Sequence, residues 1–534
     1  MLIKKLTLIA LLIMSVAGMN FAATYYVNAT SGNDANSGTS TSSPWKTISK
    51  VNSKSFSPGD NILFMRGGTW ATGTLNITSS GTSSSPIVYG AYGTGNLPII
   101  DGKNAGFCAL ISSKNYITIE NIKFQNAAGE GTIRVNTGVG IKVLDCTFYL
   151  TAHGSVFIQN SSNCLISGIT VTTPTFLDVQ TDGIYSQRNT NNIYEKNHIV
   201  ISNTETTNHD DCIQSYEDNN LTVRDNYLEQ SNTKPQNAQG IYMTDGIGTF
   251  TVYNNVVKCP HNQANIIGFD NDVSGTASLV LYNNTVIGGG ANTLRIPHKA
   301  TVTVKNNVFV TTYSSTLIQL STLGSGSTFD YNIYYRQDGN SSIIGYSGSK
   351  TLSQWKALGY DAHSLNANPM LNDSLYPSTT APEINKGVVL GGVYSTDKEG
   401  TTRPQGVATD MGAYEIKAAL LVKTVTNNTP TDFPSANNTE STPSSVVNSY
   451  QLSQNFPNPF NPSTVIKYSV GDAAHVTINV YDITGRMVRE LVNEDKAPGE
   501  YNVQFKGDNL ASGTYIYMIK AGNFTKTNKM ILLK

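Results

Sequence analysis

Three stretches repeat one pattern: Thr181-Asp182-Gly183-Ile184-Tyr185, Asp210-Asp211-Cys212-Ile213-Gln214 and Ala238-Gln239-Gly240-Ile241-Tyr242. Their anchors at 182, 211 and 239 lie 28 to 29 residues apart. A second anchor follows each: Asn197 in Glu-Lys-Asn-His, Asn226 in Arg-Asp-Asn-Tyr and Asn255 in Tyr-Asn-Asn-Val. Self-similarity at this period, with short alternating strand patterns between polar turns, marks a β-solenoid. Residues one repeat apart then stack at the strand spacing of about 4.8 Å. Asp182, Asp210 and Asp211, distant in sequence, therefore fall on neighbouring rungs of one face.

Outward from this stretch, the Asn-type anchor recurs at Asn121, Asp145, Gly168, Asn197, Asn226, Asn255, Asn284, Asn307 and Asn332. The steps are 24, 23, 29, 29, 29, 29, 23 and 25 residues. Asn suits a turn, because it tolerates left-handed backbone and can bond to its copy one rung away. Coils of 23–25 residues read as plain rungs, and the four coils of 29 between 168 and 284 carry extra loop residues. Loops added to a rigid scaffold usually build the site. The acidic cluster lies in those long coils.

The remaining chain divides around this ladder. Lys4 and Lys5, the apolar run Leu6 to Val16 and the small residues up to Ala23 read as a signal peptide, residues 1–23. That run is short for a membrane span, and no later segment could cross. Residues 24–100 form an N-terminal cap and first coils, with a short amphipathic helix expected in Trp45–Val51. The β-helix proper covers 101–335, and a closing cap covers 336–416. Residues 417–449, rich in Asn, Thr, Ser and Pro, have little to bury and read as a disordered linker. Residues 450–534 form a small β domain with strands at Val465–Val470, Val476–Tyr481, Tyr501–Phe505 and Gly513–Ile519. Asp482-Ile483-Thr484-Gly485-Arg486 makes a hairpin turn.

Formal net charge is −1 over 534 residues, so a nucleic-acid partner has no electrostatic support. The five cysteines, Cys108, Cys146, Cys164, Cys212 and Cys259, are odd in number and form no tight framework. In strand patterns they read as small buried apolar residues.

Two segments carry family resemblances. The Tyr-Val start, Pro44-Trp45-Lys46-Thr47-Ile48 and Pro58-Gly59-Asp60-Asn61-Ile62-Leu63-Phe64 through Trp70 resemble the N-terminal end of secreted right-handed parallel β-helix proteins. Trp355 and the ending Asp410-Met411-Gly412-Ala413-Tyr414-Glu415 resemble their closing segment. The resemblance implies an all-β, right-handed parallel β-helix, a single-stranded solenoid capped at both ends. The second segment opens with Gln454-Asn455-Phe456-Pro457-Asn458-Pro459-Phe460-Asn461-Pro462 and closes with Asn528-Lys529-Met530-Ile531-Leu532-Leu533-Lys534. It resembles the type IX secretion sorting domain of Bacteroidetes-group bacteria. That implies a small β-sandwich read by the secretion machinery, passage across the outer membrane, and release or surface attachment. The protein is expected to act as a monomer.

The chemistry is read from the acidic wall. Glycoside hydrolysis needs one carboxylic acid at the leaving oxygen and one carboxylate that activates water or attacks. Their separation is roughly 6.5–9.5 Å for inversion and about 5–5.5 Å for retention. Asp182, Asp210 and Asp211 are the catalytic candidates, and crowding favours the acid form of one of them. His209, Gln214, Tyr185, Gln239, Tyr242, Arg188 and Arg295 are the expected substrate-binding residues. Lys234, His261, His298 and Lys299 could add positive charge. Thr181-Asp182-Gly183-Ile184 and Asp210-Asp211-Cys212-Ile213 resemble two elements of the polygalacturonases. Carried over, Asp210 is the general acid, and Asp182 with Asp211 positions the water. Gln239-Gly240-Ile241 stands where that family has His-Gly-Ile, and Arg295-Ile296-Pro297 stands for Arg-Ile-Lys, a coil late.

Two other readings stay open. In a polysaccharide lyase the same Asp residues, with Glu217 or Asp218, would hold Ca²⁺, which takes six to eight oxygens. Lys234 or Arg188 would then be the base. In a non-catalytic glycan-binding protein, Tyr185, Tyr242 and Tyr253 would offer stacking faces, and the Asp residues would be turn formers. Hydrolysis needs no cofactor and is the favoured reading, on a polysaccharide that could carry uronates. Strand alternation places Asp182 and Asp211 on the inward side with Ile184 and Ile213, and Asp210 on the outer side.

Overall fold

The computed structural model describes residues 22–416 and 450–532, except 72, 105, 152–153, 174–180, 203–209, 231–237, 260–264, 272–276, 290–291, 313–315, 453–454, 456–457, 459, 461–462, 483–485, 508–509 and 523. The expected signal peptide and linker, His209, Lys234 and His261 lie outside the described residues. Two units separate at Val422/Lys423.

In the first unit each coil contributes one strand to each of three sheets, here A, B and C in chain order, parallel throughout except where Ser349–Lys350 closes sheet C antiparallel to Ile344–Gly345. Each sheet contains twelve strands among the described residues. The winding is right-handed, as crossovers between parallel strands almost always are. The sequence cause is an alternation repeated in register. In sheet A, Tyr194, Val223, Val252, Leu281 and Val304 stack inward. Ile199, Leu228, Val257, Val286 and Phe309 do so in sheet B. Ile184, Ile213, Ile241, Ile267 and Leu294 do so in sheet C. Three apolar columns meeting along one axis make a continuous core. All five cysteines are buried free thiols within it.

The ladder begins at Thr24–Val27, which pairs with Asn61–Met65. Helix α1, Ile48–Asn52, closes that end: Thr47 caps it, and Ile48 and Val51 are buried. At the other end the ladder runs past residue 335 to Ile344–Gly345 and Leu365–Asn366. Helix α2, Leu352–Lys356, carries a capping box from Thr351 to Gln354 and buries Trp355.

The Asn anchors resolve into two devices. At Asn121, Asp145 and Gly168 the anchor itself has positive φ, as expected of a turn. From Asn197 onward the left-handed residue is the one before: Lys196, Asp225, Asn254, Asn283, Asn306 and Tyr331. The Asn side chain is then free to point inward as a ladder. Asn197 N–H donates to Asn226 Oδ1 at 2.9 Å, Asn226 to Asn255 at 3.1 Å, Asn255 to Asn284 at 3.0 Å, Asn284 to Asn307 at 2.9 Å and Asn307 to Asn332 at 3.0 Å. The ladder ends in the cap, where Asn332 Nδ2 donates to Asp361 Oδ1 and Asn332 N–H to Ser364 Oγ.

Residues 367–416 return along the outside of the coils. Asn254 Nδ2 donates to Thr396 O and Asn306 Nδ2 to Val388 O, both at 2.8 Å. Tyr394 meets Tyr253 and Tyr282 edge-on, and Leu375, Ala413 and Tyr414 pack on Val256 of sheet B. This segment therefore occupies outer surface of sheets A and B over the long coils.

The second unit is a small β domain. A four-stranded antiparallel sheet pairs Ala474–Asp482 with Met487–Lys496 and Gly513–Ala521, which in turn pairs with Phe524–Leu532. Ser463–Val470 and Gly499–Lys506 pair in a three-stranded sheet with Gln451–Leu452. Tyr468, Val480, Phe505 and Tyr517 lie in its core.

Candidate active site

Sheet C carries the candidate site. Its strands read Ile-Tyr-Ser-Gln at 184–187, Ile-Gln-Ser-Tyr at 213–216, Ile-Tyr-Met-Thr at 241–244 and Ile-Gly-Phe-Asp at 267–270. Alternation turns the second and fourth residues outward. Register then builds two outer columns. One is Arg134, Phe157, Tyr185, Gln214, Tyr242, Gly268, Arg295 and Gln319. The other is Gln187, Tyr216, Thr244 and Asp270. Arg134 stacks on Phe157 at 3.6 Å, and Phe157 meets Tyr185 at 4.6 Å between ring centroids. Aromatic rings interleaved with amides and charged groups suit sugar rings and their hydroxyls.

The three aspartates sit in the turns that lead into these strands. Asp182 Oδ1 accepts Asp211 N–H at 2.8 Å, Asp211 Oδ1 accepts Gln239 N–H at 2.6 Å, and Asp210 Oδ1 accepts Thr181 N–H at 2.6 Å. Each bond joins one coil to the next, so two adjacent turns hold all three carboxyl groups. They are buried, with relative exposures of 3, 0 and 0 % for Asp182, Asp210 and Asp211. Asp210, expected on the outer side, is fully buried, with its Oδ1 on the Thr181 N–H of the neighbouring coil. Asp182 reaches the face electrostatically: burial first, then the Asp182 carboxylate, raises the Tyr185 phenol.

Other candidates fall in distinct places. Tyr185, Gln214, Tyr242 and Arg295 share one outer column, as above. Gln239 does not join them, because it is buried in the turn beside Asp211. Arg188 lies at the far end of its strand, paired with Glu217 at 2.5 Å. Asp218 turns into the core: its Oδ2 accepts from Ser186 and Ser215, and its Oδ1 accepts Asn189 N–H. Burial raises its carboxyl. Glu217 and Asp218 are thus drawn away from the turn aspartates. Among the described residues, no group of three or more His, Cys, Asp or Glu side chains is arranged to hold a metal ion.

One surface carboxylate escaped the sequence reading. Asp270 closes the strand Ile267–Asp270 and gathers Tyr242 OH at 3.3 Å, Arg295 Nη1 at 3.5 Å and His298 Nε2 at 3.1 Å. Burial, then Asp270, pushes the Tyr242 phenol up to about 12. The signal was available in the alternation Ile267-Gly268-Phe269-Asp270, which continues the column of Tyr216 and Thr244 although the coil has shortened.

Residues 25–287 match the family model for the Pel9A-like right-handed β-helix region. Residues 454–533 match the secretion-system C-terminal sorting domain. The chain is a right-handed parallel β-helix protein with a type IX sorting domain, which directs export across the outer membrane. Over 322 residues it is 23% identical to the lacto-N-biosidase of Bifidobacterium longum subsp. longum, an alignment covering 53% of this chain and 19% of that protein. The chain thus spans about a fifth of that relative's length. The native GH136 lacto-N-biosidase from Eubacterium ramulus superposes with a TM-score of 0.41 at 13% identity, covering 61% of this chain and 65% of that one. A mannuronic acid specific polysaccharide family 6 lyase from human gut microbiota gives a TM-score of 0.27 at 12% identity, covering 57% and 79%. No helix among the described residues is long and apolar enough to cross a membrane.

Proposed function

We propose that this is a carbohydrate-active protein that cuts a polysaccharide by acid–base hydrolysis at the edge of sheet C. The observation that carries the reading is the meeting of Asp182, Asp210 and Asp211 in two adjacent turns, at the head of an outer column of aromatic and polar side chains. Stacked turns bring carboxyl groups to a separation of about 5 Å, the range used by retaining glycosidases. One carboxylic acid protonates the leaving oxygen, and a second carboxylate attacks the anomeric carbon or activates water. The similarity to a lacto-N-biosidase supports a sugar substrate. Because the aspartates are buried, substrate binding must uncover them. Their Oδ1 atoms keep the turns in place. Released or surface-bound export fits a substrate too large to enter a cell.

A polysaccharide panel incubated with the protein, with and without EDTA, tests the reading. New reducing ends with no ultraviolet absorbance from unsaturated uronates, indifferent to EDTA, are expected. Absorbance that EDTA abolishes would replace hydrolysis by calcium-dependent elimination. Binding without any cleavage would leave a glycan-binding surface.

A further inference from the structure

Asp270 organises a second cluster on the same face, at the opposite end of the strands from the turn aspartates. Its Oδ1 holds His298, and its Oδ2 holds Tyr242 and Arg295. These four residues come from three successive coils. His298 Nε2 stands 3.1 Å from Asp270 Oδ1. Arg295 and His298 remain open, with 39 and 48 % of their side chains exposed. Gly268 makes room for the fourth member. A Cβ there would stand 2.7 Å from Tyr242 Cδ2, so the ring leans across the glycine toward the next coil. The result is a half-buried aromatic ring bordered by a guanidinium, an imidazole and a carboxylate held in fixed positions. Exposed ion pairs of this kind add only about 0–1 kcal/mol to stability, so fold maintenance is a weak reason for the cluster.

The distance from the turn aspartates decides what the cluster can do. Asp270 is in register with Thr244 and Tyr216, two coils away, and Tyr216 lies five residues along the strand from Asp211. Strand geometry places Asp270 about 19 Å from Asp211. That is about twice the largest separation at which two carboxyl groups serve one glycosidic bond. The two clusters cannot act on the same bond.

We propose that Tyr242, Asp270, Arg295 and His298 form a remote sugar subsite. A pyranose ring stacks on Tyr242, and its hydroxyls bond to Arg295, Asp270 and His298, several sugar residues from the bond that is cut. The proposal rests on the hydrolase reading above and adds a requirement for chain length: only a long polymer reaches both clusters.

The test uses the full chain, the polysaccharide cut by the wild type, and a ladder of shorter oligosaccharides from it. Arg295→Ala and His298→Ala change exposed side chains, and melting temperature checks their fold. The expected result for the double variant is a loss in kcat/KM on the polymer on the order of tenfold, carried by KM. That loss shrinks as the oligosaccharide is shortened below the span between the clusters. Equal loss at every length, carried by kcat, would make the cluster part of the cutting centre and overturn the proposal. Unaltered kinetics at every length would also overturn it, with the hydrolase reading intact. A wild type that cuts no polysaccharide would remove the hydrolase reading, and the subsite with it.

Discussion

A carboxylate and a carboxamide offer the same Oδ1 acceptor to the N–H of Gln239, but only the carboxylate exchanges a proton. This separates the two roles available to Asp211. Asp211→Ala leaves a buried N–H without its acceptor and should lower stability by about 1–3 kcal/mol, read from the denaturant midpoint. Asp211→Asn should cost far less by the same measurement. The Asn ladder works on similar physics. Asn255 accepts Asn226 N–H and donates through Nδ2 to Val223 O. Asn255→Ala should cost about 2–3 kcal/mol, because both buried partners lose their bonds. Calorimetry of the first unit would check it, and a cost below 1 kcal/mol would contradict the ladder's importance. The Asn repeat was legible in the sequence because stacked coils demand the same residue at the same point. The burial of Asp210 was not, because strand alternation does not extend into a turn.

At the scale of elements, sheet C shows why part of the face was readable and part was not. Tyr185, Gln214 and Tyr242 follow one another at 29 and 28 residues, so their shared column follows from the repeat. The next step, to Gly268, is 26 residues, so a period of 28 or 29 misses Asp270 and only the strand alternation points to it. Contacts across coils, such as Asp270 with His298, depend on that changed register. The returning segment 367–416 carries a different prediction. Glu383 is buried there, and burial together with nearby Asp410 pushes its carboxyl up to about 8. In the unfolded chain it ionises near the ordinary carboxyl value of about 4.3. Between these values the unfolded state gives up a proton that the folded state keeps. The stabilising contribution is therefore complete below the unfolded value and is lost as pH rises through the folded one. Glu383→Gln should flatten the fall in melting temperature between about pH 4.5 and 8, and raise it by a few degrees at pH 8. Parallel pH profiles for wild type and variant would contradict this.

At the scale of the molecule, the chain joins a solenoid to a separate β domain. Stacked coils contact mainly their neighbours, so stability is a sum of coil and interface terms and the ends need caps. Helix α1 and the Asp361–Trp355 cap meet that need, with Trp355 Nε1 donating to Asp361 Oδ2 at 2.7 Å. The second unit has its own core. Removing residues 423–534 should leave the melting transition of the first unit within a degree or two, measured by calorimetry, because domains with separate cores unfold as units. A large downward shift would show that the units stabilise each other. In the sequence a polar stretch without a burial pattern lies between two strand-rich regions.

The most direct measurement compares polysaccharide cleavage by wild type and Asp211→Asn, with melting temperature recorded on the same samples. Loss of the acid–base group with its backbone bond preserved should lower kcat by about a hundredfold or more and leave the melting temperature nearly unchanged. Full activity in Asp211→Asn, and likewise in Asp182→Asn and Asp210→Asn, would show that the buried turn carboxylates only tie coil to coil and that the cutting centre lies elsewhere.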